Sequence, residues 1–160
     1  MKRIFWIALF CTLLGHALAV QGAEDPQERF QPAGEGVVLD TRTGLMWATQ
    51  DNGRDIDWYE AQTYCKEYEA GGFTDWRMPD IKELATLYAP ESSNGDGYFI
   101  SELFSLSECC LWSSYDTMGG ALAFSFKSGK RPAAYLSDTY QMRVLPVRES
   151  GKEKGDDLDE

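Results

Sequence analysis

Apolar residues along this chain switch between two periods, and each period predicts a different element. Trp58, Ala61, Cys65 and Tyr68 fall on one face of a helix. Asp57 stands where an N-cap belongs, and Glu60 follows it at capping-box spacing. Gly71 and Gly72 are expected to end that helix, since glycine takes the left-handed C-cap conformation without a Cβ penalty. A second helix has Asp80 as cap, Glu83 as its capping-box partner and Ile81, Leu84, Leu87 and Tyr88 as apolar stripe, with Pro90 closing it. Between the two lies Asp75-Trp76-Arg77-Met78-Pro79, a rigid corner. Pro79 pushes Met78 into an extended conformation, and Trp76 is the apolar anchor.

Outside this pair of helices the period is two. Val37, Val38, Leu39 and Asp40 form a short strand, Thr41 to Gly44 a polar turn, and Leu45, Met46 and Trp47 the returning strand. Strands are also expected at 111–115 and 133–136. Another is expected where Leu122, Phe124 and Phe126 alternate with Ala123, Ser125 and Lys127, and a last one at 142–148, where Pro146 imposes an edge or a bulge. Phe99, Ile100, Leu103, Phe104 and Leu106 look like a loop or short helical turn folded onto the core. Ahead of them, residues 91–102 are rich in Ser, Asn, Gly and Asp, with Asn94-Gly95 and Asp96-Gly97 as turn dipeptides. Such loops commonly carry contact surfaces. The candidate ligand-binding residues are therefore Asn94, Asp96, Tyr98 and Phe99, joined by Tyr115 and by the basic turn Lys127, Lys130 and Arg131. Asp51, Asp55 and Asp57 suggest a calcium loop, but their spacing is not that of an EF-hand, and solvated loop acids are the plainer reading. No metal site and no cofactor is assigned.

Residues 1–19 stand apart. Lys2 and Arg3 precede an apolar run too short to span a bilayer, and Ala17-Leu18-Ala19 supplies a signal-peptidase pattern, so export to the periplasm, cell surface or medium is expected, without stable membrane insertion after cleavage. The division that follows is a signal peptide at 1–19, a polar leader at 20–35, one domain at 36–149 and a disordered acidic tail at 150–160. The chain has 160 residues, with 15 Lys and Arg against 26 Asp and Glu, net −11. That balance argues against nucleic acid or anionic lipid as partner. The one histidine, His16, lies in the signal peptide. The exported chain therefore lacks a catalytic triad based on imidazole and a His-ligated zinc site.

Cys65, Cys109 and Cys110 remain after processing. In an oxidising compartment the expectation is one disulfide and one thiol, with Cys65 bridged to Cys109 or to Cys110. A bridge between the two neighbours would strain the peptide while closing almost no loop. The absence of C-x-x-C sets thioredoxin chemistry and zinc ribbons aside.

Five stretches in order then carry a resemblance: Asp40-x-x-Thr43-Gly44-Leu45-Met46-Trp47; Trp58-x-x-Ala61-x-x-Tyr64-Cys65; Gly72-x-x-Asp75-Trp76-Arg77-Met78-Pro79-x-x-x-Glu83-Leu84; Trp112-Ser113-Ser114; and Val144-x-x-Val147-Arg148. Together they resemble the Lcl C-terminal domain family over nearly the whole domain. The resemblance implies an α+β, C-type-lectin-like fold, with two helices flanking small antiparallel β-sheets and paired N- and C-terminal strands. It also implies a distant similarity to formylglycine-generating enzymes. Trp47, Trp58, Trp76, Arg77, Pro79, Trp112 and Arg148 are then scaffold rather than ligand contacts. The calcium-dependent sugar motifs of true lectins are absent, and Cys109 and Cys110 do not have the spacing of the copper-holding cysteines of the related enzymes. The function implied is an exported, non-catalytic binding or adhesion module for a glycan or for an envelope or host protein, without calcium-bridged sugar binding. A copper or thiol oxidase and a structural subunit of an envelope assembly are the alternatives.

Overall fold

The structure, a computed structural model, describes residues 29–151. The expected signal peptide, most of the leader and the acidic residues 152–160 lie outside the described residues. Ten elements follow one another: β1 (Phe30–Gly34), β2 (Val37–Asp40), β3 (Leu45–Ala48), α1 (Trp58–Glu67), α2 (Ile81–Leu87), β4 (Cys110–Thr117), β5 (Gly120–Ser125), β6 (Ala133–Tyr135), β7 (Met142–Arg143) and β8 (Val147–Glu149). They build two four-stranded sheets, ordered β1-β2-β3-β8 and β6-β5-β4-β7. The class is α+β. The C-terminal strand β8 returns to pair with β3, Met46 opposite Arg148, so the two ends of the domain meet in one sheet. One pairing departs from the expected antiparallel sheets: β7 lies parallel to β4.

The second sheet explains its own sequence pattern. Leu111, Phe124 and Phe126 face the main core, formed with Trp47, Leu84, Leu87, Phe104 and residues of the first sheet. Trp112, Ala121 and Ala123 face a smaller cluster with Trp58, Ala61, Cys65 and Val144. The two helices thus cover opposite faces of this sheet. The alternation along β5 sorts large from small side chains, not buried from exposed ones. The indoles hold this arrangement by specific bonds. Trp58 Nε1 donates to Ser113 O at 2.8 Å and Trp112 Nε1 to Ile56 O at 2.9 Å, tying α1 and its entry loop to β4. Pro79, also expected as scaffold, accepts from Ser114 N through its carbonyl at 2.8 Å.

Both helices begin where their caps predict. Asp57 accepts from Glu60 N, and at α2 the capping box of Asp80 and Glu83 closes in both directions. The end of α1 differs from expectation. It stops at Glu67, with Tyr68 extended, and Gly71 and Gly72 (φ 61° and 78°) instead turn a tight hairpin between Ala70 and Phe73. Two further differences concern strands. The stretch 142–148 is two strands, since Pro146 cannot donate to a ladder and the chain passes from one sheet to the other at Val144-Leu145-Pro146. Residues 30–34, expected as leader, form edge strand β1. Phe30 is buried against Phe104 with ring centroids 5.3 Å apart.

The corner between the helices is fastened to the C-terminal strand. Arg148, with a fully buried side chain, bonds Asp75 through Nε at 2.6 Å and Nη2 at 3.2 Å, and its guanidinium lies 3.9 Å over the Phe73 ring. Arg77 N and O pair with Val147 O and N, at 2.9 and 3.0 Å. The Arg77 guanidinium turns away to make a bidentate pair with Glu83, at 2.8 and 2.7 Å, the residue that also closes the α2 cap. Asp75 and Arg77 thus reach different partners instead of each other.

A second buried pair joins the N-terminal edge. Arg29 bonds both carboxylate oxygens of Asp40, at 2.8 and 2.6 Å, and Thr43 Oγ1 adds a bond at 2.9 Å. Burial of Asp40 opposes its ionisation, but the bonds from Arg29 and Thr43 outweigh that and hold its carboxyl below the ordinary 3.8.

Asp75→Ala leaves the Arg148 charge buried without its carboxylate and is expected to lower unfolding free energy by roughly 3–5 kcal/mol in urea titrations. The Asp40 contribution, because the folded value is depressed, is complete above the unfolded value and disappears as pH falls through the folded one. Arg29→Ala is therefore expected to lower the melting temperature at neutral pH and to move the onset of acid unfolding to higher pH, read by circular dichroism.

Candidate functional site

The strand order places the expected contact residues at two ends of the second sheet. At one end, β5 turns into β6 through Lys127, Ser128, Gly129, Lys130 and Arg131. At the other, β4 turns into β5 through Met118 and Gly119, where Thr117 pairs with Gly120. Because β6 runs antiparallel to β5 with Tyr135 opposite Gly120, Tyr135 arrives at the second end.

The first end gathers most of the sequence candidates. Asn94 is the pin of the 92–99 loop. Its Nδ2 donates to Phe104 O at 3.1 Å, and its Oδ1 accepts from Asp96 N and Tyr98 N at 3.1 and 3.3 Å. Asn94 is thus committed to shaping the loop, while Asp96 at the tip is exposed. Phe99 N donates to Phe126 O at 2.8 Å, which docks the loop on the end of β5. Tyr88 stands between loop and turn: its ring lies 6.0 Å from that of Phe99, and a Cβ on Gly129 would come within 2.9 Å of it. No residue but glycine fits there without displacing the ring. Lys127, Lys130 and Arg131 are exposed on this turn, and none forms an ion pair among the described residues. Phe99 is half-buried beside them, and Tyr98, also half-buried, has Glu108, Asp96, Asp51 and Arg143 as its charged neighbours. Burial, then the charges of Glu108, Asp96 and Asp51, push the Tyr98 phenol up, so it remains a hydrogen-bond donor in neutral solution.

The second end takes Tyr115 away from the other candidates. It also holds residues that sequence reasoning did not single out. Gly119, Gly120, Ala133 and Ala134 form the floor of a groove of about 390 Å³, with Met118, Tyr135 and Asp138 at its sides. Tyr115, Tyr135 and Tyr140 are exposed by 54%, 73% and 78%. The only available signal was three tyrosines in otherwise polar stretches, which does not distinguish a groove from scattered surface rings.

Asp51, Asp55 and Asp57 do not converge. Asp51 accepts from Gly53 N and from Ser107 N and Oγ, Asp55 pairs with the buried Arg143, and Asp57 caps α1. Among the described residues no group of three or more His, Cys, Asp and Glu side chains is placed to hold a metal ion. No helix of the described residues is long and apolar enough to cross a membrane.

With this geometry in place, residues 36–148 match the Lcl C-terminal domain. The chain belongs to the Lcl C-terminal domain family. No curated protein matches it closely enough to count as a relative. In this Lcl C-terminal domain the expected scaffold residues are interior: Trp47, Trp58, Trp76, Pro79, Trp112 and Arg148 are buried, and Arg77 is half-buried. Trp47 Nε1 is the one buried side-chain nitrogen or oxygen without a partner among the described residues.

The cysteine pairing corrects the expectation. Cys109 and Cys110 are bonded to each other, and Cys65 is a buried free thiol. Cys65 faces inward from α1 among Trp58, Ala61 and Trp112, and burial pushes its thiol far up, so it stays protonated and unreactive. Proteolysis of the oxidised protein without reductant is expected to release Cys65 in a peptide of its own, with Cys109 and Cys110 together in a second peptide two hydrogens lighter than its reduced mass. In the native protein Cys65 should resist maleimide and react only after denaturation.

Proposed function

We propose that this Lcl C-terminal domain is an exported, non-catalytic binding module with a C-type-lectin-like fold, which engages an anionic glycan without calcium. The observation that carries this reading is the rigid turn bearing Lys127, Lys130 and Arg131, three exposed cations free of ion pairs among the described residues. Phe99 lies beside that turn, which supports contact by an apolar ring face next to charge. Cations that are already fixed by backbone lose less freedom on binding than those on a mobile loop. The overall negative charge works against a polyanion, so the affinity expected is modest and strongly dependent on salt. A module of this kind would act in adhesion at the cell surface or in the periplasm.

The test is retention on heparin and on a neutral polysaccharide of matched length. Replacing Lys127, Lys130 and Arg131 by alanine is expected to weaken heparin binding by about ten-fold or more, with the fold and melting temperature retained. A calcium chelator should change nothing. Equal binding by the variant, or loss of binding with the chelator, would sink the reading.

A further inference from the structure

The groove at the opposite end of the sheet has the reverse chemistry. Residues 115–120 and 133–140 carry two charges, Asp116 and Asp138, both negative, and contain no Lys or Arg. They carry three of the most exposed aromatic rings of the described chain, Tyr115, Tyr135 and Tyr140. None of these rings stacks on another ring among the described residues. Asp138 is held in place from both sides: its Oδ2 accepts from Tyr135 N and its own N donates to Tyr135 O, each at 2.9 Å. That reciprocal turn fixes a carboxylate beside the base of an exposed ring, above a floor of glycine and alanine that offers backbone but no bulk.

We infer that this groove is a docking site for a lysine or arginine side chain on a basic segment of a partner protein. The alkyl stem would lie along Met118 and the glycine floor, and the cationic head over the Tyr135 ring and against Asp138. Each part of the groove suits that occupant: the ring faces attract cations, the thioether packs on methylenes, and the acid supplies the counter-charge. Charge complementarity decides against the competing occupants. An anionic glycan would meet Asp138 in the groove, and Asp116 on the adjoining strand, with no cation in the lining to offset them, and a second copy of this chain brings net −11 against net −11. Addition of a partner strand along β6 is also disfavoured, because both backbone groups of Tyr135 on the open edge are already taken by Asp138, which leaves that edge of the three-residue strand only Ala133. Recognition at this end is therefore by side chain. It is independent of the glycan reading, which concerns the other end of the sheet.

The experiment is a fluorescence-anisotropy titration of the full chain with a labelled alternating arginine–glycine peptide, its glutamine–glycine counterpart and a neutral chito-oligosaccharide. Variants Tyr135→Leu and Asp138→Asn alter the groove. Asp96→Asn makes the same charge change at the far end, and Tyr135→Phe keeps the ring. The arginine peptide is expected to bind, with Tyr135→Leu and Asp138→Asn each weakening it by about five-fold or more, and Tyr135→Phe and Asp96→Asn staying within about two-fold. The glutamine peptide should not bind. Equal weakening by Asp138→Asn and Asp96→Asn would overturn the proposal in favour of unspecific attraction to an acidic protein. So would an arginine peptide that fails to bind, or a neutral oligosaccharide whose binding is lost in Tyr135→Leu. Self-association in sedimentation velocity that Tyr135→Leu abolishes would assign the groove to a second copy instead.

Discussion

The pairing of Asp75 with Arg148 is the constraint on which the rest of this structure depends. A guanidinium with no exposed side-chain surface tolerates only a geometry in which its charge and donors are met. Here Asp75 meets them from the corner between the helices, the Phe73 ring covers one face and the Met46 sulfur lies at 3.0 Å from Nη1. Arg148 sits on the last strand, Met46 on the third, and Asp75 in neither sheet. One ionic contact therefore fixes three remote segments relative to one another. The two-way backbone pairing of Arg77 with Val147 adds direction to that contact, and α2 starts from it through Glu83.

From this corner the division of labour in the domain follows. The first sheet and the corner form an anchored half, with its charges buried in pairs. The second sheet is filled from both sides, and along β5 the large side chains face the main core while the small ones face α1 and Trp112. It projects its two turns beyond the packed region. Its ends differ in sign, with exposed Lys127, Lys130 and Arg131 at one and exposed tyrosines beside Asp138 at the other.

Much of the interior was legible in the sequence because its signals are local. Asp57 and Asp80 announce helix starts through side chains that reach only three residues ahead, and the alternation along 122–126 needs no knowledge of partners. The misreadings concern long-range choices. Pro146 marks a disturbance, but nothing nearby in the sequence says that the chain changes sheets there. Pro32 and Gly34 give residues 30–34 the composition of a leader, whereas Phe30 and the Arg29 to Asp40 pair decide their fate. For the cysteines, loop-closure entropy favours a distant bridge. What prevails is that Cys65 faces into a packed apolar cluster while Cys109 and Cys110 lie together at the head of β4. Of the contact candidates, the basic turn and the 92–99 loop do come together. Asn94 proves internal to the loop, and Tyr115 lies on β4 toward the opposite end of the sheet, the end that carries a groove no local pattern revealed.

Strand β1 lies upstream of the stretch that matches the family, and this has a consequence for where the domain can be cut. It covers the outer ladder of β2, and Pro32 within it leaves the new border a poor template for further pairing. A fragment begun at residue 36 would bare that ladder, vacate the slot filled by Phe30 and strand the carboxylate of Asp40. Such a fragment would present adhesive backbone to its own copies, so trimming at the homology border invites fibrous or amorphous clumping in place of a well-behaved domain.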